Sequence, residues 1–323
     1  MLACPVGAVA SPQLPRPLLG VPPRGYGPPV RRTSPIALVR PVPLSIAGCE
    51  VTHVAREVLD PECARAQHEG YVRALRDAGM HVVALPVSEE HPDSVFVEDL
   101  LLDLGDVRVL TSPGADSRRG ERESVRRAFV PGGELTTWGP LIEMPDELRL
   151  DGGDVLRIGS VVFVGLSSRT QKPAVEWLDT ITAARVVPVK VEGALHLKTA
   201  VSALTEHLLV VNPEAVNPSA FGWFDTILVP DGEKAAANAL RLPPRRSLCT
   251  TQFRDERALL PAGCPQTASA VRRWGVEVIE VPIDELAKAE AGLTCMSVLL
   301  GADFALDRDA LPHALVEQEI PGE

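Results

Sequence analysis

The chain has 323 residues, 45% of them hydrophobic, and carries 32 Lys and Arg against 43 Asp and Glu, a net charge of −11. That length allows one large domain or two small ones. The acidic balance argues against general nucleic-acid binding, which needs a basic footprint, and suits a small cationic ligand. No apolar run reaches the ~18 residues of a membrane span, so a membrane is not an expected partner either.

In chain order, residues 1–35 (MLACPVGAVASPQLPRPLLGVPPRGYGPPVRRTSP) come first, crowded with Pro and Gly and without helical or strand period. Such a stretch buries too little surface to offset its ordering entropy, which predicts a flexible extension. The Arg31-Arg32 pair lacks the apolar region that follows a twin-arginine export signal. The cysteines (Cys4, Cys49, Cys63, Cys249, Cys264 and Cys295) show no C-x-x-C spacing, and no convincing signal peptide precedes them. They predict reduced thiols in a cytoplasmic protein.

From residue 36 the pattern becomes repetitive. YVRALRDAGMHVVALPV (residues 71–87) predicts a helix, a Gly at its end and a strand, and SAVRRWGVEVIEVPI (269–283) repeats that order. The runs DVRVLTSPGADSRRGERESVRRAF, VVFVGLSSRTQKPAVEWLDTI, HLLVVNPEAVNPSAFGWF and RALLPAGCPQTASAVRRWGVEVIEVP each predict a strand, a turn and a short helix. Their strands end near Leu110, Val164, Val210 and Leu260, at intervals of about 45 to 55 residues. Each unit is therefore strand, strand, helix, strand. Five ββαβ units around an axis leave no open sheet edge and bring equivalent strand starts together. The expected fold is an α/β, five-bladed pseudo-symmetric propeller formed by residues 36–323 as one domain.

The slots at those strand starts hold the chemistry. FVED, within DSVFVEDLLLDL, supplies Glu98 and Asp99, with Asp93 just before; LDGGDVLRIG supplies Asp151 and Asp154; ALHLKTAVSAL supplies His196; NALRL fills a fourth slot; and GLTCMSVLL supplies Cys295. Each has a plain alternative. Cys295 alone could be a core thiol, Asp151-Gly152-Gly153-Asp154 a turn, His196 a core histidine, and Glu98-Asp99 half of a salt bridge. Together, a thiol, an imidazole and carboxylates make an activated-nucleophile set, in which His assists Cys and a carboxylate orients His.

The motifs VRPVP, PDSVFVEDL, PGADSRR, LDGGDVL, VFVGLSSRT, LHLKT and GLTCMSV stand in an order and at spacings that resemble the dimethylarginine dimethylaminohydrolase family, over residues 36–306. That family belongs to the guanidino-modifying enzymes of the pentein fold. The resemblance implies a cysteine hydrolase releasing citrulline from Nω-methylated arginine, needing neither metal nor cofactor, acting on a small guanidino amino acid as monomer or homodimer. It implies Cys295 as nucleophile, His196 as general acid/base and Asp151 as the residue orienting it. It implies that Asp99 grips the guanidinium, that Glu98 and Asp93 contact substrate, and that Arg118 and Arg169 hold its α-carboxylate. Val51 matches an apolar position in a loop over the substrate, and Gly292 is expected to let backbone approach the substrate.

Arginine deiminases typically carry an Asp two residues after the catalytic His; here the triplet is His196-Leu197-Lys198, which favours methylated arginine. Arginine deimination, amidino transfer to an amine, and a non-catalytic binding protein of the same fold are the alternatives. PPRRSLCTTQFRDERA is longer than a tight hairpin needs and is expected to be a surface insertion or a loop near the entrance.

Overall fold

The structure, a computed structural model, describes residues 35–139, 141–244 and 256–301. The expected N-terminal extension (save Pro35) and residues 245–255 of the long hairpin segment lie outside them. Among the described residues the strands gather into five three-stranded sheets of one design. β1 (Ile36–Val39) pairs parallel with β2 (His81–Ala84). The second sheet holds β3 (Leu101–Asp103), β4 (Arg108–Leu110) and β5 (Leu141–Glu143). The third holds β6 (Val155–Ile158), β7 (Val161–Leu166) and β8 (Arg185–Lys190). The fourth holds β9 (Val201–Ala203), β10 (Leu208–Val211) and β11 (Asp225–Leu228). The fifth holds β12 (Leu240–Leu242), β13 (Arg257–Pro261) and β14 (Glu277–Val281). Finally β15 (Ser297–Leu300) returns to pair antiparallel with β1 and completes the first sheet.

In each sheet an inner strand forms an antiparallel pair with the middle strand, and the middle strand runs parallel to the outer one. A parallel pair needs a crossover, and the sequence supplies it as the expected helices: Pro61–Asp77, Arg122–Phe129, Lys172–Ile181 and Pro265–Arg273. In the fourth unit one short turn, Pro218–Phe221, suffices. Helix Pro61–Asp77 illustrates the local logic. The Asp60 carboxylate accepts from the N–H of Glu62 at 2.9 Å, Pro61 fits the first turn, and Ala64, His68, Tyr71, Val72 and Leu75 bury one face. Beyond its end Gly79 takes φ +89°, as Gly275 (φ +80°) does in the matching unit. His68 is a core histidine, its pKa pushed down to about 4 by burial.

The all-buried strand β10 (LLVV), and β7, which is buried up to its last residue, sit between packed layers, where apolar runs replace alternation. The five inner strands surround a cavity of about 180 Å³, lined by residues of β3, β6, β9, β12 and β15. This is the predicted axis. The β12–β13 hairpin has Leu242 opposite Arg257, so the long connection leaves the end of β12 remote from its slot. No helix among the described residues is long and apolar enough to cross a membrane.

Candidate active site

Every inner strand is preceded by a single helical turn: Val97–Leu100, Gly152–Asp154, Leu197–Ala200, Lys234–Ala237 and Thr294–Met296. The equivalence of the slots is thus physical. One helical turn followed by an extended strand aims the residues at its start toward the axis, and these carry Asp99, Asp151, His196 and Cys295. The paired glycines of LDGGD are packing requirements of such a turn. A Cβ on Gly152 would lie 2.0 Å from the Glu98 carbonyl oxygen, and one on Gly153 would lie 2.6 Å from His196 Nδ1 and 2.9 Å from Asp99 Oδ1.

His196 Nε2 pairs with Asp151 Oδ2 at 2.9 Å, and Nδ1 lies 3.9 Å from Asp99 Oδ1. Burial disfavours the imidazolium, but Asp99, Asp151 and Asp154 outweigh it and raise the His196 pKa to about 9. Asp154 braces the arrangement, accepting from Leu197 N–H at 2.9 Å and from the Ser167 and Thr170 hydroxyls at 2.6 Å. Burial, helped by Glu98 and Asp99, pushes the Cys295 thiol up to about 12, while a bond from Gly292 N–H to Sγ at 3.3 Å opposes this. The resting site is therefore a neutral thiol beside an imidazolium.

Cys295, His196, Asp151, Asp99, Asp93, Arg118 and Arg169 line one small cavity of about 30 Å³. Burial lifts the Asp93 carboxyl to about 6. Two expected residues stand differently. Glu98 lines the central cavity instead, its oxygens held by Lys198 Nζ at 2.6 Å and Thr294 Oγ1 at 2.8 Å. A buried carboxylate needs partners, and the Lys two residues after His196 supplies one. Arg118 departs from the expectation of a guanidinium free for a substrate carboxylate. Its Nη1 holds Asp99 at 2.5 Å, its Nε and Nη2 fork Glu121 at 2.9 and 3.0 Å, and Nη2 also reaches the Phe96 carbonyl at 2.8 Å. Burial disfavours its charge, but Glu121 and Asp99 hold its pKa well above the ordinary arginine value.

Val51 packs, half-buried, against the same core cluster as Cys295. Its loop is fastened by Glu290, whose Oε1 accepts from the backbone N–H of Thr52 at 3.0 Å, His53, and Val54 at 2.8 Å. Glu290 takes φ +58°, the only non-Gly residue among those described with positive φ.

The fourth slot holds a residue that sequence reasoning passed over. Asn238, buried, accepts from Thr294 N–H at 2.9 Å and donates to Thr294 Oγ1 at 3.0 Å and to the Lys198 carbonyl at 2.9 Å. It ties the turn carrying Cys295 to the turn following His196. Its place at the head of NALRL was the available signal. Gly292 abuts this amide, with a Cβ at 2.2 Å from Asn238 Cγ, so its smallness serves packing on Asn238. Asp99, Asp151 and His196 also offer three donor atoms within 4.8 Å of one another, a set that could hold a small cation. Arg118 on Asp99 and the proton on His196 compete with that use.

The family model described as N,N dimethylarginine dimethylhydrolase, eukaryotic, matches residues 55–220. The N(G),N(G)-dimethylarginine dimethylaminohydrolase of Pseudomonas aeruginosa is 33% identical over 261 residues, 78% of this chain and 94% of that one. Its counterpart in Streptomyces coelicolor is 36% identical over 268 residues, 82% and 96% of the two chains. Among solved structures, a Cys-to-Ser mutant of the Pseudomonas aeruginosa protein complexed with citrulline superposes with TM-score 0.72 at 30% identity, over 82% of this chain and 98% of that one. The N-terminal domain of a cyanobacterial arginine dihydrolase superposes with TM-score 0.69 over 82% of this chain and 98% of that one; at 18% identity it shows a shared fold alone. The five-sheet ring is the pentein propeller.

Proposed function

The chain belongs to the dimethylarginine dimethylaminohydrolase family, and on that premise we propose that it hydrolyses Nω-methylated arginine to citrulline and a methylamine through Cys295. The observation that carries this reading is the meeting of Cys295, the His196–Asp151 pair and Asp99 in one cavity, from slots up to 196 residues apart in sequence.

A guanidinium carbon is a poor electrophile, because its charge is delocalised. Asp99, fixed by Arg118 and by Gly153 N–H at 2.9 Å, would hold the substrate cation in a defined plane. That cation offsets the carboxylates that keep Cys295 neutral, so the thiolate forms in the complex and its proton leaves to solvent. Sγ attacks the guanidinium carbon. The bond to the methylated nitrogen then breaks, and His196, already an imidazolium at neutral pH, protonates the departing amine. The remaining S-linked thiouronium is attacked by water as His196 takes the water's proton. The C–S bond breaks, citrulline leaves, and the thiol is restored. Asp151 orients the ring and stabilises its charged form. Arg169 pairs with the α-carboxylate, Asp93 with the α-ammonium, and Arg118 supports Asp99.

Arginine deimination fits less well, because Lys198 stands where a second guanidinium-binding Asp would be and its ammonium is committed to Glu98. The test is citrulline release from asymmetric dimethylarginine, arginine and agmatine. Faster turnover of arginine, or no citrulline from the methylated substrate, would overturn the proposal.

A further inference from the structure

The cavity contains a carboxylate that the proposed reaction leaves unused. Glu50 immediately precedes Val51 in the loop that Glu290 fastens. Its Oε1 accepts from Ser117 Oγ at 2.5 Å and its Oε2 from Arg169 Nη2 at 2.9 Å, and its own N–H donates to both Asp93 oxygens at 3.2 and 3.3 Å. Burial raises its pKa, but the Ser117 and Arg169 bonds outweigh burial and hold it below the ordinary glutamate value, so it is charged. Of the two arginines lining the cavity, Arg118 has its nitrogens engaged by Asp99, Glu121 and backbone carbonyls. Arg169 is the cation left for a substrate carboxylate, and Glu50 already stands on it. The Glu50 side chain is 40% exposed and that of Arg169 13%, so the pair sits at the cavity mouth, where a ligand arriving from solvent meets it.

We propose that Glu50 is a specificity-determining residue that occupies Arg169 in the empty site and surrenders it to the α-carboxylate of the substrate. The inference rests on the reading that the substrate is a guanidino amino acid. A second carboxylate at Arg169 raises like-charge repulsion, so substrate binding and Glu50 pairing exclude one another. Because Glu50 shares its loop with Val51, the exchange also couples recognition of the carboxylate to the loop over the cavity. Glu50 thereby sets the affinity for carboxylate-bearing guanidines without touching the reacting atoms.

The experiment compares wild type with Glu50→Gln on asymmetric dimethylarginine and on its decarboxylated counterpart, Nω,Nω-dimethylagmatine. Glutamine keeps the bond to Ser117 and removes the competing charge. The expected result is a KM for dimethylarginine lowered by about threefold to fivefold, the upper scale of one partly exposed ion pair. Its kcat stays unchanged, and KM for the decarboxylated substrate stays within twofold. A raised or unchanged KM for dimethylarginine, or an equal fall for both substrates, overturns the inference while leaving the reaction standing. Wild type releasing no citrulline from dimethylarginine overturns the reaction and this inference with it.

Discussion

Replacing Gly292 by Ala tests how the nucleophile's turn is held. The new Cβ would stand 2.2 Å from Asn238 Cγ and 2.5 Å from both its Nδ2 and Oδ1, far inside contact distance. Asn238 cannot swing aside freely, because three hydrogen bonds, two of them buried, fix its amide. Overpacking of this kind costs about 1–3 kcal/mol. Asn238→Ala alone forfeits those three bonds at ~1 kcal/mol each and leaves the buried Thr294 N–H unpaired, a loss of about 3 kcal/mol or more. In the double variant the truncated Asn238 makes room for the added methyl, so only the hydrogen-bond loss remains. The summed single effects should then exceed the double effect by ~2 kcal/mol, within the range seen for residues in contact. Urea unfolding of the four proteins gives the cycle, provided the slopes agree. Citrulline release by Gly292→Ala should fall more than its stability does, since Thr294 adjoins Cys295. Additivity within ~0.5 kcal/mol would refute the clamp.

Arg118→Met would leave Asp99 and Glu121 buried without their shared cation, and urea unfolding should report a loss of about 3–5 kcal/mol; unchanged stability with only a raised KM would mean that Arg118 serves substrate alone. The His196 pKa is raised from 6.5 to about 9 in the folded protein, so its contribution is complete below pH 6.5 and fades as pH rises through 9. His196→Asn should flatten the fall in unfolding free energy across that interval, and an unchanged slope would contradict the raised value. Cys295, pushed up to about 12, should react slowly with iodoacetamide at pH 7.5, as followed by mass of its peptide. Glu98→Gln should speed that reaction by removing one of the charges that hold the thiol neutral.

The repeat was legible because each unit carries its own strand and helix signals, so Leu110, Val164, Val210 and Leu260 fall within two residues of the ends of the middle strands. Meeting of the slot residues was legible for the same reason, since equivalent strand starts in a closed ring must converge. What sequence could not supply was the partner of each charge. Arg118 and Arg169 look alike as motif arginines, yet one is enclosed by Asp99 and Glu121 and the other meets Glu50 at the cavity mouth. Glu98 and Asp99 are neighbours on one turn that points them to opposite sides of the cavity wall. The packing role of Gly292 was hidden because its neighbour, Asn238, lies 54 residues away, in the unit whose slot supplied no catalytic candidate.

The central claim is a covalent bond between Cys295 Sγ and the guanidinium carbon of a methylated arginine. Rapid acid quenching during turnover of asymmetric dimethylarginine, followed by mass spectrometry of the Cys295 peptide, reads it directly. The predicted result is that peptide carrying the amidino-linked substrate less dimethylamine, with Cys295→Ser giving neither adduct nor citrulline while retaining a cooperative urea transition. Citrulline release by Cys295→Ser, or an adduct on another cysteine, would contradict the account.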